Sequence, residues 1–366
     1  MNQVSEKNIP ADYQRVVLLN PTRYLGNLLI AGGLIQDYYR YCQQRGILFL
    51  LVVDEAYREL LKGFLPDEVL LFYPRQRIKQ GNLWQQASAY LRCLFAIRRF
   101  KADIAFNIEE DSVSHRLTQL SGARFKLGSN RQRNRYGYDR VLDINYLQRS
   151  PERRHRWYGY ADVFRLLGLT DSKAAYLKLP AHQASQAFMK KLFNAGLNPG
   201  SPFIILHSSA AKDYKKWPAA NFAELINRLK LEAYSSVLIG AGSADQNANQ
   251  AILDIINEHY PDAKPVDLCN QLSLSELVEL MRQASAMVGN DSGPFHLASA
   301  IGLPGCVIFG PTEVALWRPL SDKSLVLKAD EVCAPACTKT GCIYANRCLK
   351  AITPEQVMQA LLPLIG

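Results

Sequence analysis

The chain alternates short, unbroken apolar runs with longer amphipathic stretches. In the first half the runs are VVLLN (16–20), LFLLVVD (48–54), EVLLFY (68–73), DIAFNIE (103–109) and RFKLGS (124–129). Helical stretches fall between several of them, notably LLIAGGLIQDYYRYCQQ and WQQASAYLRCLFAIRRF. An apolar run without period-two alternation predicts a strand buried on both faces, as in a parallel sheet covered by helices. After a basic helical segment, RHRWYGYADVFRLLGL, and a polar connector, TDSKAAYLKLPAHQ, the pattern restarts at FIILHSS (203–209). It continues through SSVLIGA (235–241), PVDLC (265–269), AMVGND (286–291), GCVIFGP (305–311) and SLVLKAD (324–330). The last stretch, TPEQVMQALLPLI, reads as a helix with Thr353 as N-cap and Pro354 at its first position. The expectation is an α/β protein of two Rossmann-like, doubly wound domains. The boundary falls near 170–183, and the domains are taken as 1–175 and 176–366. Two such domains in tandem are expected to face a cleft at the carboxyl ends of their strands, where open α/β sheets bind ligands.

Composition narrows the class. The 366 residues are 48% hydrophobic and 21% charged, enough to fill two cores. No apolar run is long enough to span a bilayer. The opening MNQVSEKNIPADYQR has no apolar stretch of the secretory kind, so the cytoplasm is the expected compartment. The net charge of +10 suits anionic partners. Basic residues cluster at RQRNR (131–135), RRHR (153–156) and KDYKK (212–216), with no nucleic-acid-binding motif beside them. That leaves a solvated basic surface, or a preference for anionic lipid or phosphate. Of the eight cysteines, Cys42, Cys93, Cys269 and Cys306 lie in apolar stretches. The others, Cys333, Cys337, Cys342 and Cys348, follow the spacing C-x3-C-x4-C-x5-C. Four thiols so close can hold a structural zinc or iron site, or stand as reduced thiols in a compact loop.

The strand ends carry the chemistry. In VGNDSGPFHLASAIGLPGCVIFGPT, Asp291 ends a strand, Ser292 is placed to cap the next helix, and Gly293 permits close backbone approach. Pro294 suits the first helical position, and His296 falls in the first turn, facing the same ligand. Free amides at a helix start favour an anion. In HSSAAKDYKKWP, the hydroxyls of Ser208 and Ser209 and the charges of Lys212, Lys215 and Lys216 suit a diphosphate. In IGAGSADQ, Asp245 follows a glycine turn and suits a ribose or sugar hydroxyl. Together the three strand ends describe a nucleotide-diphosphate site without a Walker A motif or a GxGxxG fingerprint. The missing fingerprint disfavours a dinucleotide-dependent oxidoreductase.

These stretches also resemble a family. NDSGPFHLASAIGLPGCVIFGPT is similar to the D-S/T-G-x-x-H-x-A-A/S-A-x-G-x-P signature of the ADP-heptose:lipopolysaccharide heptosyltransferases, glycosyltransferase family 9. SSAAKDYKKWPAANFAELINRL, LCNQLSLSELVELMRQASAMVGND and RHRWYGYADVFRLLGL resemble further segments of that family, so the likeness covers nearly the whole chain. It implies a GT-B fold, with the donor in the C-terminal domain and the acceptor facing the N-terminal one. It also implies ADP-L-glycero-β-D-manno-heptose as donor and an inner-core lipopolysaccharide or lipid A–Kdo acceptor. No cofactor is needed for transfer, and the enzyme would sit peripherally on the cytoplasmic face of the inner membrane. Carried over, Ser208, Ser209 and Lys215 meet the diphosphate, Lys215 being preferred because the family lysine stands two before the tryptophan. Asp291 takes heptose hydroxyls, the amides of Ser292 and Gly293 take phosphate, and His296 lies nearby. Asp245 stands for the family's acidic residue after the glycine turn, one position out of register. Arg23 and Gly26 fall on the acceptor side.

The family's G-D-x-(L/V) motif after the first strand carries an aspartate suited to act as general base. Here the sequence reads RYLGNLLIAGG, with Asn27 in that place. An amide takes no proton at neutral pH. Three readings follow. The base is displaced to Glu109, Glu110 or Asp111 in NIEEDS; or Asn27 only orients the acceptor; or the chain is weak or inactive and binds a nucleotide sugar without turnover. A family 9 transferase with another sugar or acceptor stands beside these.

Overall fold

The computed structural model describes residues 7–109, 111–129, 137–144, 155–179, 185–198, 200–329, 342 and 345–366. The chain forms two compact units, Met1–Pro180 and Ala181–Gly366.

The first unit runs β1 (Arg15–Asn20), α1 (Leu25–Gln44), β2 (Leu48–Asp54), β3 (Leu70–Tyr73), α2 (Arg75–Gln80) and α3 (Leu83–Arg99). It continues through β4 (Ile104–Phe106), α4 (Ser112–Leu120), β5 (Phe125–Ser129), β6 (Arg140–Leu142) and α5 (Arg156–Leu166). Its six strands are all parallel, in the order β3-β2-β1-β4-β5-β6. The central strands are buried on both faces, which is why VVLLN and LFLLVVD are continuously apolar. Strand β6 was not expected. Its three residues, Arg-Val-Leu, are only half-buried at the sheet edge, so they give no apolar run.

The first unit extends past residue 175 because the connector packs back on α1. The Leu177 amide donates to the Leu29 carbonyl at 3.1 Å. A side chain at Gly32 would strike Leu177, and one at Gly33 would strike the Ala175 carbonyl. The glycine pair in LLIAGGLIQ thus lets the connector lie directly on the helix.

The second unit runs α6 (Gln186–Asn194), β7 (Phe203–His207), α7 (Ala219–Leu231), β8 (Ser235–Leu238), α8 (Ser243–His259), β9 (Val266–Asp267) and α9 (Leu274–Gln283). It continues through β10 (Ala286–Asn290), α10 (Gly293–Ala300), β11 (Gly305–Ile308), α11 (Val314–Trp317), β12 (Ser324–Leu327), α12 (Arg347–Lys350) and α13 (Pro354–Ile365). Its parallel sheet has the order β12-β11-β10-β7-β8-β9, the same winding as the first. Helix α13 is capped by Thr353 with Pro354 in its first turn, as the sequence predicts. Its Val357, Met358 and Leu361 close the core over Trp217 and Phe222. The Trp217 indole donates to the Ile352 carbonyl at 2.8 Å, so this large side chain is buried without an unpaired N–H. The architecture is therefore two doubly wound α/β units in tandem.

Candidate functional site

Doubly wound sheets hold ligands where the strand order reverses, because the chains leaving the two strands there diverge and open a crevice. In the second unit this fork lies between β7 and β10. Ser208, Ser209 and Lys215 follow β7; Asp291, Ser292 and Gly293 follow β10. The fold thus brings together two motifs that are far apart in sequence. Lys215 Nζ meets Asp291 Oδ2 at 3.0 Å. Lys216 turns instead to Asp213, whose side chain is 94% exposed, so of these two lysines Lys215 is the one paired across the fork. Asn290 braces the fork: it accepts the Trp217 amide at 2.9 Å and donates to the Ser208 carbonyl at 2.8 Å.

Four residues are placed differently from expectation. Ser292 holds the N-cap position of α10, but its hydroxyl does not cap; it lies 3.1 Å from His207 Nδ1. The first amides of α10 therefore keep their donors and partial positive charge for an anion. Pro294 is the second residue of α10, not the first. The Ser208 hydroxyl is spent inside the fold, donating to Asn249 at 2.7 Å. His296 is buried beneath the helix start rather than open to a ligand, and burial lowers its pKa, keeping the imidazole neutral.

His207 was missed by the sequence reading. It is buried at the end of β7, with Ser292 on one ring nitrogen and Asp245 Oδ2 3.5 Å from the other. Asp245 sits in the first turn of α8 and also accepts the Ala241 amide at 2.8 Å. Burial alone would raise its pKa, but the neighbouring His207 and Ser209 side chains and the bond from the Ala241 amide outweigh that and bring it down to about 2. Gly240 makes the arrangement fit, since a Cβ there would stand 2.5 Å from the Asp245 Cβ.

In the first unit the fork lies between β1 and β4. Gly26 and Asn27 begin α1 after β1; Glu109 follows β4. Asn27 Nδ2 donates to Glu109 Oε2 at 3.0 Å. The Tyr160 hydroxyl of α5 donates to the other oxygen at 3.2 Å. Glu109 is only 7% exposed. Burial raises its pKa strongly, and the charge of Arg156 and the bonds from Asn27 and Tyr160 only partly offset burial and the nearby Asp111, leaving it at about 7. A carboxylate of that pKa, open to a pocket, is poised to take a proton at neutral pH. The pocket has a volume of about 440 Å³, and Arg23, Tyr24, Arg75 and Glu109 line it. Arg23 lies over the Tyr24 ring and donates to its hydroxyl at 2.6 Å. Arg75, also missed by the sequence reading, is fixed by Asp54 and the Pro21 carbonyl.

Asp111 is set aside as a base. It is the N-cap of α4, accepting the amides of Val113 and Ser114 at 2.9 and 3.0 Å, with the Ser114 hydroxyl on its other oxygen. A carboxylate so occupied serves the helix. Glu110 lies outside the described residues.

Comparison with known proteins accounts for the paired forks. The family model described as glycosyltransferase family 9 (heptosyltransferase) matches residues 91–346. The chain belongs to glycosyltransferase family 9. Lipooligosaccharide heptosyltransferase 2 of Campylobacter jejuni is 29% identical over 167 residues, 45% of this chain and 49% of that one. Across the first such relatives, the chain spans about half the length of the protein it matches. Lipopolysaccharide heptosyltransferase 1 of Pseudomonas aeruginosa is 26% identical over 335 residues, 90% of this chain and 87% of that one. The solved ADP-heptose lps heptosyltransferase II of E. coli superposes with a TM-score of 0.70 at 21% identity, over 96% of this chain and 98% of that one. The fold of this family 9 chain is GT-B.

The cysteine-rich segment stands apart. Cys333 and Cys337 of the C-x3-C-x4-C-x5-C run lie outside the described residues. Cys348 is buried in the second core, and Cys342 Sγ accepts the Asn346 amide at 3.2 Å.

Proposed function

We propose that this family 9 chain is an inverting heptosyltransferase. It moves heptose from ADP-L-glycero-β-D-manno-heptose to an inner-core sugar of a lipid A–Kdo acceptor at the cytoplasmic face of the inner membrane. Family membership supports the transfer, and the names of its relatives support the sugar and the acceptor class. The observation that carries the catalytic reading is the Asn27–Glu109 hydrogen bond. Where the family resemblance implies an aspartate after β1 this chain has Asn27, and a buried glutamate from the neighbouring strand end accepts from its amide.

In this scheme Glu109 takes the proton of the acceptor hydroxyl as that oxygen attacks the anomeric carbon. The bond from that carbon to the β-phosphate oxygen breaks, and ADP leaves with the electron pair. Asn27 and Tyr160 hold the two oxygens of Glu109 in place. Arg23 takes an acidic group of the acceptor, such as a Kdo carboxylate or a phosphate. On the donor side, Lys215 and the amides of Ser292 and Gly293 answer the charge growing on the leaving diphosphate. Asp291 both orients Lys215 and accepts from heptose hydroxyls, while Ser209 and Asp245 serve the nucleotide end.

A transfer assay read by mass spectrometry tests the reading. The protein is mixed with ADP-heptose and truncated lipopolysaccharide acceptors, and a one-heptose increase in acceptor mass is expected. ADP-heptose binding without an increment on any acceptor would refute the core-transferase reading. Failure of ADP-heptose to bind would refute the donor.

A further inference from the structure

Helix α3 carries two apolar faces, and the core uses only one. Cys93, Leu94 and Ile97 are buried in the first unit. Trp84, Leu91 and Phe95 stand 87%, 59% and 68% exposed, and Leu83 beside them is 82% exposed. At about 100° per residue, positions 84, 91 and 95 fall within an arc of about 40°. They form a single outward stripe, well away from the buried one.

The charge carried by α2 and α3 themselves has one sign. Residues 75–99 contain six arginines and lysines and no aspartate or glutamate. Arg77, Lys79, Arg92, Arg98 and Arg99 are exposed, and among the described residues none of them pairs with a carboxylate. A groove of about 810 Å³ beside the helix is lined by Trp84 together with Arg58, Arg77 and Arg92, against a single carboxylate, Glu55. Arg58 is held over the Phe72 ring at 3.7 Å, and the Asn82–Gln85 capping box fixes the start of α3, where Leu83 and Trp84 project. An aromatic-rich stripe flanked by unpaired cations describes a helix that lies in a membrane interface.

We propose that the α2–α3 face docks on the surface of an anionic bilayer. Trp84, Leu91 and Phe95 enter the boundary between headgroups and acyl chains. Arg77, Lys79, Arg92, Arg98 and Arg99 hold lipid phosphates around them. Charge selects this occupant over a second copy of the chain: a two-fold contact through this face would set its cations against the same cations. The proposal concerns docking alone and does not rest on the transfer reaction or on the identity of the donor.

The test is co-sedimentation of the full chain with vesicles of phosphatidylglycerol and phosphatidylcholine, compared with phosphatidylcholine alone. Binding to the anionic vesicles is expected to be about tenfold tighter or more, and to weaken with salt. Tryptophan emission is expected to shift to the blue on binding. Trp84 is the source of that shift, because Trp157 and Trp217 are already buried and Trp317 is partly so. Trp84→Phe removes the shift while keeping the binding. Trp84→Glu with Phe95→Glu lowers binding about tenfold or more with an unchanged melting temperature, since both side chains are outside the core. Arg92→Gln, Arg98→Gln and Arg99→Gln together weaken anionic binding alone. The proposal is overturned if the chain ignores anionic vesicles or if the double glutamate variant binds as tightly as the parent. It is also overturned if those substitutions abolish a dimer in sedimentation velocity and leave vesicle binding untouched.

Discussion

Replacing Glu109 with glutamine is expected to make the protein more stable above neutral pH while removing its activity. In the unfolded chain this carboxyl ionises near 4.5; in the fold it does so near 7. The folded state therefore holds a proton that the unfolded state has released between those values, and stability falls as pH rises through the window. Below 4.5 both states are protonated, and the penalty is absent. Above 7 it is complete, at about 1.4 kcal/mol per pH unit of displacement, or roughly 3 kcal/mol. Glutamine keeps an acceptor for Asn27 and a partner for the Tyr160 hydroxyl but carries no charge to bury. Thermal melts of parent and Glu109→Gln, followed by calorimetry from acid to mildly alkaline pH, should coincide in acid and diverge through pH 7. For a unit of this size the gap corresponds to a rise in melting temperature of up to about 10 °C. Transfer should fall about 10²–10⁴-fold, the usual worth of a general base. A variant no more stable than the parent above pH 7 would refute the buried-charge argument.

Other consequences are more local. Asn27→Asp would place two carboxylates against each other, so their pair should share a proton and the acidic limb of the transfer pH profile should move upward from 7; an unmoved limb would count against contact. Lys215→Ala should lower kcat by roughly 10²–10³ and weaken ADP binding, while Lys216→Ala, which loses only a pair with exposed Asp213, should do little; equal losses in steady-state kinetics would contradict the geometry. Asp245 contributes stability that is fully present above its unfolded pKa of 3.8 and is lost as pH falls through about 2. Asp245→Asn should therefore cost roughly 2 kcal/mol in denaturant melts at neutral pH and progressively less in acid.

The framework was legible because both sheets are parallel and covered on both faces, so their central strands appear as unbroken apolar runs. Strand β6 escaped because an edge strand of three half-buried residues carries no such mark. The donor residues were legible in kind, since hydroxyl, lysine and glycine crowd the ends of β7 and β10. Their pairing was not: Lys215 and Asp291 are 76 positions apart and meet only because β7 and β10 are neighbours. The same holds for Asn27 and Glu109, 82 positions apart. Choosing between Glu109 and Asp111 needed the structure, although an aspartate just before SVSHRLTQL is a helix-start signal in its own right. His207 and Arg75 gave no signal, because each acts through partners supplied by other elements.

The pH dependence of heptose transfer, measured on one acceptor for the parent and for Glu109→Gln, tests the central claim most directly. The account predicts a parent rate that rises through an apparent pKa near 7 to a plateau, and a variant with a rate about 10²-fold lower or more and no such limb. A glutamine variant that keeps the parent's rate and the parent's limb would place the base elsewhere and contradict the account.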